Sequence, residues 1–211
     1  MTSRKNSDNP LPSRQKRSEE TTNRLIDAAE EILKTGGAEA ATLRAIAERA
    51  NVSVGIVYRR FPDKDAVLRS VYLRYFSRAA DSNARVFAST DWTRYATPFL
   101  TKILIEGMIT GYRAHRNVLR ALIIYARSHE DAAFRERAES MNEHALDELV
   151  KVFDARRAEM NHPHPVEGIR FAITSIAAVA QDRVIFHRST DPHLSRELVR
   201  LFSAYLGLPL S

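Results

Sequence analysis

The chain has 211 residues, 44% of them apolar or aromatic and 27% charged, with a net charge of +6 and no cysteine. Such a length and composition suit one or two globular domains with real cores, and the lack of cysteine excludes disulfides, thiolate zinc sites and cysteine nucleophiles. No apolar run reaches the ~20 residues that span a bilayer and the N-terminus has no apolar signal core, so the expectation is a soluble, cytoplasmic protein with no membrane partner, whose positive charge favours a polyanion.

Residues 1–20 are polar, contain Pro10, Pro12 and the basic group Arg14, Lys16 and Arg17, and show no apolar periodicity. They are expected to form a disordered basic arm that follows phosphates or enters a minor groove, or else a solvated tail with no role. A first helix is predicted over about 22–35, with Leu25, Ala28, Ala29, Ile32 and Leu33 on its buried face and Gly36 and Gly37 at its end.

Thr42 then suits an N-cap, and Leu43, Ile46, Ala47 and Ala50 recur at helical spacing as one apolar stripe, leaving Arg44, Glu48 and Arg49 outside. Asn51 stands where the chain must leave that helix, and Asn tolerates the left-handed backbone needed there. Ser53 can cap a second short helix in which Val52, Val57 and Phe61 pack back on the first. Its outward residues are Val54, Gly55, Ile56, Tyr58, Arg59 and Arg60.

Exposed Val54 and Ile56 gain nothing in water, but they suit thymine methyl groups, while Tyr58, Arg59 and Arg60 offer donors to phosphates or guanine. Gly55 costs roughly 1 kcal/mol of helix propensity, which a close approach to DNA would justify. Pro62 stops the helix and Asp63 can cap the next. Lys64 falls in the first turn of that next helix, where its charge opposes the dipole and invites a phosphate. Together these residues read as a helix-turn-helix, with Thr42, Arg44, Ser53, Val54, Gly55, Ile56, Tyr58, Arg59, Arg60 and Lys64 as candidate DNA contacts.

Residues 25–68 resemble the DNA-binding domain of the TetR family of bacterial transcription regulators. The likeness rests on Ala28, Ala29, Ile32, Leu33, Gly37, Thr42, Ile46, Ala47, Val52, Ser53, Gly55, Tyr58, Phe61, Lys64 and Leu68 in register. Two positions depart from it: Asn51 replaces the usual turn glycine, and Arg60 stands where the family has His or another aromatic. The resemblance implies an all-α homodimer that places two recognition helices in successive major grooves, with a C-terminal helical domain that binds a small effector. A two-fold pair would read half-sites about 34 Å, or a multiple, apart.

A long helix over about 64–88 then carries Val67, Leu68, Val71, Tyr72 and Tyr75, and serves as a lever between the DNA-binding unit and the rest. Further helices are predicted over 98–115, 117–128, 131–157, 166–187 and from Ser195 to Gly207, the last with Leu194 and Val199 as a hydrophobic staple. The expected layout is therefore an arm over 1–20, a helix-turn-helix domain over 21–68 and an effector-binding and dimerisation domain over 69–211. The last two helices carry spare apolar surface, so Ile176, Val179, Val184, Leu198, Leu201, Phe202 and Tyr205 are assigned to dimerisation. An effector pocket is expected among Phe99, Ile103, Met108, Tyr112, Tyr125, Met141 and Phe171, with Arg113, Arg127 or Gln181 as polar anchors; each apolar member also suits the core.

No phosphate-binding glycine loop, dinucleotide fingerprint, nucleophile elbow or zinc-protease histidine pair occurs. His162 and His164 flank a proline but lack a third ligand nearby, so no metal, cofactor or catalytic residue is expected. The leading reading is a DNA-binding repressor released by a ligand. The alternatives are a helical small-molecule-binding protein or enzyme without DNA function, and a sequence-indifferent DNA compactor, against which the outward Val54 and Ile56 argue.

Overall fold

A computed structural model describes residues 14–209. Among these the chain is helical with no strand: α1 (Arg14–Ala40), α2 (Leu43–Arg49), α3 (Val54–Tyr58), α4 (Lys64–Ser89), α5 (Thr97–Ala114), α6 (Arg116–Ser128), α7 (Ala132–Asp154), α8 (Pro165–Gln181) and α9 (Leu194–Leu206). Short 3₁₀ turns at Trp92–Arg94 and Arg157–Glu159 join helices, and a π turn at Asp182–Phe186 continues α8.

The first helix starts earlier than its apolar pattern suggests, so residues 14–20 are helical and not disordered. Two contacts support this: Gln15 donates to Glu19 at 3.3 Å along the helix, and Arg60 Nη1 donates to Ser18 Oγ at 2.6 Å. The rest of the expected arm, residues 1–13, lies outside the described residues. Towards its end α1 breaks at Gly37, whose φ of 74° is a conformation that suits glycine.

One core runs without interruption from α1–α3 into the body. Leu25, Ala29 and Leu33 of α1, Ile46 and Ala47 of α2 and Val57 of α3 meet Val67, Leu68, Val71, Tyr72 and Phe76 of α4. These continue into Val118, Leu122 and Tyr125 of α6 and Phe134 of α7. Four rings close that junction: Phe134 lies 4.9 Å from Tyr125, 5.4 Å from Phe76 and 5.9 Å from Tyr72 between centroids, and Tyr72 lies 5.5 Å from Tyr125. On the outside of α4, Arg74 pairs with Asp27 at 2.6 Å and Glu30 at 2.7 Å. Burial works to raise the Glu30 carboxyl, but hydrogen bonds from Lys34 and Arg74 outweigh it and hold the group below its usual range.

A second core fills the body, where Leu100, Ile105 and Ile109 of α5 and Val150 and Phe153 of α7 pack on Ile169, Ile173, Ile176 and Ala180 of α8 and Leu198, Phe202 and Leu206 of α9. This corrects part of the expected dimer face. Ile176, Val184, Leu198 and Phe202 are buried inside the subunit itself, because α8 and α9 are apolar on two sides and their inner sides meet α5 and α7. The buried Arg156 fastens the α4–α5 connection, its guanidinium donating to the carbonyls of Val152 at 2.8 Å, Trp92 at 2.5 Å and Tyr95 at 3.2 Å.

Because Phe134 is fully buried among three rings, Phe134→Ala leaves a cavity at the joint and is expected to lower stability by about 3–5 kcal/mol. Urea unfolding followed by Trp92 fluorescence and by circular dichroism checks this. Both signals move to lower urea together if the core is continuous, and helix is lost before the Trp92 signal if head and body melt apart.

Candidate nucleic-acid interface

The N-terminal helical unit, α1–α3, which forms a head on the body of the later helices, is built from short-range chemistry. Thr42 has extended backbone and its hydroxyl oxygen accepts the Ala45 N–H at 3.1 Å, which caps α2. At the other end Asn51 takes a left-handed φ of 53°, and the Val52 N–H returns to the Ala47 carbonyl at 3.0 Å. That closure is the Schellman pattern, with asparagine in the place more often held by glycine. The chain then enters α3 at once.

A five-residue helix is too short to persist alone, so α3 owes its position to Val57, which is fully buried, and to Phe61 just beyond it. What remains faces solvent. Val54 and Tyr58 are 37% and 59% exposed; Ser53, Gly55 and Arg59 are exposed, and Ile56 is half-buried. The Ser53 side chain makes no capping bond, and neither Tyr58 nor Arg59 has a side-chain partner among the described residues. This face therefore presents two aliphatic groups, two hydroxyls and a guanidinium with their capacity unspent, a combination that matches thymine methyls, base edges and phosphate oxygens.

Other expected contacts are engaged elsewhere in the free protein. Arg44 pairs with Glu48 at 3.0 Å along the exposed side of α2. Arg60 Nη1 donates to Ser18 Oγ of α1 at 2.6 Å, and Lys64 Nζ donates to the Ala38 carbonyl at 2.5 Å, beside the break in α1. Lys64 thus ties α4 to the end of α1, which offsets its unfavourable place in the helix dipole. The Arg60 contact also brings in Gln15, Ser18 and Thr21, which were not among the expected contacts, and Arg17 of the expected basic arm; these four line an open cleft of about 640 Å³ with Arg60. The Gln15–Glu19 spacing, an i,i+4 pair, is the helix signal in this segment.

Fasteners join the head to the body where α4 begins. Asp65 Oδ2 lies 3.0 Å from His129 Nε2, whose ring stacks on Tyr125 at 4.1 Å. Arg69 donates to Asp131 at 2.6 Å, and Arg135 donates to the His129 carbonyl at 2.6 Å. The turn between α6 and α7 is thus bound to the first turns of the lever.

In the body, a cavity of about 190 Å³ lies between α4 and α7, lined by Phe76, Ala80, Asn83, Arg137, Ser140, Met141, His144 and Ala145. Of the residues expected to wall an effector pocket, Met141 lines it. Ile103, Met108 and Tyr112 pack on the second core and Tyr125 belongs to the ring cluster. Arg113 and Arg127 are exposed, and Gln181 is half-buried at the end of α8. Phe99 and Phe171 point to solvent, Phe171 at 60% exposure with its ring 5.3 Å from Tyr205. Val179 of α8 and Leu201 of α9 are also exposed, so α8 and α9 each carry outward apolar side chains.

A model of bacterial regulatory proteins of the tetR family matches residues 25–71. The chain is 40% identical over 147 residues to the HTH-type transcriptional repressor KstR of Mycobacterium tuberculosis, a match covering 68% of this chain and 60% of that protein. It therefore spans about 60% of that relative's length. Among solved structures it is similar to a TetR-family protein from Mesorhizobium loti, with a TM-score of 0.68 at 18% identity, covering 90% of this chain and 97% of the other. A tetR-family regulatory protein from Rhodococcus RHA1 aligns with a TM-score of 0.63 at 19% identity, covering 90% and 98%.

The head–body fastening is expected to depend on acid. The hydrogen bond from Arg69, followed by that from the Phe134 amide, holds the Asp131 carboxyl below the usual aspartate range. A depressed carboxylate stabilises the fold above its unfolded pKa of about 3.9, and the effect is lost as pH falls through the lower folded value. Acid unfolding of Asp131→Asn, in which the amide keeps the cap but not the charge, should lose that part of the pH dependence. An acid limb identical to that of the parent would show that the pair contributes nothing.

Proposed function

The chain belongs to the tetR family of bacterial regulatory proteins, and from that premise we propose that it is a sequence-specific transcriptional repressor that binds a palindromic operator as a homodimer and is released by a small effector. The observation that carries the reading is the outward face of α3. Val54 and Ile56 have no reason to meet water, and Ser53, Tyr58 and Arg59 have no partner to release. A sequence-indifferent binder has little use for the apolar pair, since phosphate contact alone is electrostatic. DNA in the groove would be met first by Thr42 and Arg59, with Arg44, Arg60 and Lys64 exchanging their present partners for phosphates.

The symmetry is supported by Phe171, Val179, Leu201 and Tyr205, an exposed apolar patch on the helices farthest along the chain from the head. Two copies facing through it would hold two heads in one orientation, as a palindrome requires. The effector site we favour is the cavity between α4 and α7. At about 190 Å³ it is smaller than the roughly 300–1,000 Å³ of most ligand sites, so a guest must part the two helices to enter. Phe76 is both a wall of that cavity and a member of the ring cluster. Its displacement would be felt at Phe134, Tyr125 and the fasteners at the start of α4. A ligand acts in this way only if it favours one head spacing over the other, and an almost complete swing requires about 5.5 kcal/mol of differential affinity.

Selection from random duplex DNA at fixed salt is expected to return a palindrome, and an unselected pool would overturn the reading. On that palindrome Arg59→Ala should cost about 1–3 kcal/mol at one base position and leave the others alone. Leu201→Asp, at a site 48% exposed and so compatible with the fold, should yield a monomer by light scattering that loses operator affinity. A dimer that persists would move the interface elsewhere.

A further inference from the structure

The cavity between α4 and α7 is chemically uneven, and that unevenness points to a class of guest. Phe76 and Ala80 of α4 and Met141 and Ala145 of α7 are buried or half-buried and form its apolar part. Arg137, Ser140 and His144 of α7 and Asn83 of α4 are exposed and form its rim towards solvent. Each helix presents one face, since Phe76, Ala80 and Asn83, like Arg137, Met141 and Ala145, follow one another by three or four residues.

The rim has hydrogen-bonding capacity to spare. Arg137, Asn83, Ser140 and His144 make no side-chain bond among the described residues. No lining residue is acidic, and of the acids farther along α7 Glu143 and Asp147 are paired with Arg170 of α8. Among the described residues Arg137 is therefore the one permanent charge on the cavity wall.

We infer that the cavity takes a small monocarboxylate, an acid whose single ring or short chain lies on Phe76 and Met141 and whose carboxylate is held by Arg137. The inference rests on the effector reading of this cavity and adds to it the chemistry of the guest. A guanidinium fork takes both oxygens of a carboxylate side by side, and the Asn83 amide and the Ser140 hydroxyl supply donors for the remaining lone pairs. One positive charge balances a monoanion. A phosphate dianion would keep a charge unanswered, and an ammonium group would be repelled. Size limits the apolar end. An apolar protein cavity of about 150 Å³ holds a benzene molecule, so a cavity of about 190 Å³ admits one ring and little more without a wide parting of α4 from α7.

Methionine-methyl NMR of the full chain tests the inference. Of the four methionines Met141 lines the cavity, and Met141→Leu identifies its signal. Phenylacetate should move that signal saturably, with an affinity about tenfold or more above those of benzyl alcohol and benzylamine, its neutral and cationic analogues. Phenyl phosphate should bind more weakly than phenylacetate. Arg137→Gln, at an exposed position that leaves the fold intact, should weaken phenylacetate by about tenfold and leave the alcohol unchanged. An alcohol or amine that binds as tightly as the acid, phenyl phosphate that binds more tightly, an acid affinity that survives Arg137→Gln, or no saturable movement of Met141 with any of these probes would overturn it. Operator affinity separates this inference from the effector reading. Phenylacetate that binds as expected yet leaves operator affinity unchanged would count against the effector role and leave the ligand class standing. An amine that fills the cavity and releases the operator would sink the ligand class and leave the effector role standing.

Discussion

The structure depends on a helix that belongs to two units at once. The first turns of α4 bury Val67, Leu68 and Val71 against α1 and α2, and its next turns bury Tyr72 and Phe76 against α6 and α7. Burying one such side chain is worth about 1.5–3 kcal/mol, whereas an exposed ion pair contributes about 0–1 kcal/mol. The rings at Tyr72, Phe76, Tyr125 and Phe134 therefore hold the head on the body. The pairs at Arg69–Asp131, Arg74–Glu30 and Asp65–His129 set the angle at which it is held. Any change in the spacing of α4 and α7 reaches the head through side chains already in contact.

The outward face of α3 follows from that support. With five residues, α3 has no independent stability, so it stays helical only while Val57 and Phe61 remain seated in the core beneath it. Rigidity below allows exposure above. Three of the expected cationic contacts are partnered within the chain, Arg44 with Glu48, Arg60 with Ser18 and Lys64 with the Ala38 carbonyl. DNA would replace these weak local bonds, while Arg59 is ready without exchange.

The head was legible because its determinants are local. Thr42 and Asn51 act through backbone bonds within a few residues, Pro62 acts by lacking an amide hydrogen, and Ile46, Ala47 and Val57 announce their burial by spacing alone. Elsewhere the deciding partner is distant in the chain. Ile176 and Phe171 are both apolar residues on α8, yet one is buried by α5, α7 and α9 and the other projects beside Tyr205. Periodicity marks both and cannot choose between them. The same holds for the cavity, whose lining joins Phe76 and Ala80 to Arg137 and His144 across two helices. The helical start at Arg14 leaves little trace in the apolar pattern because it is supported by the Gln15–Glu19 pair and by Arg60 on Ser18, not by an apolar stripe.

The central claim is that the residues of α3 and its flanks lie on DNA while α4 carries the consequence to the body. Backbone hydrogen exchange of the free chain and of its complex with an operator duplex tests this most directly. The account predicts added protection across α2, α3 and the first turns of α4, with a smaller change at the turn between α6 and α7. Protection that leaves α3 untouched, or that falls on the outward patch of α8 and α9 alone, would contradict it.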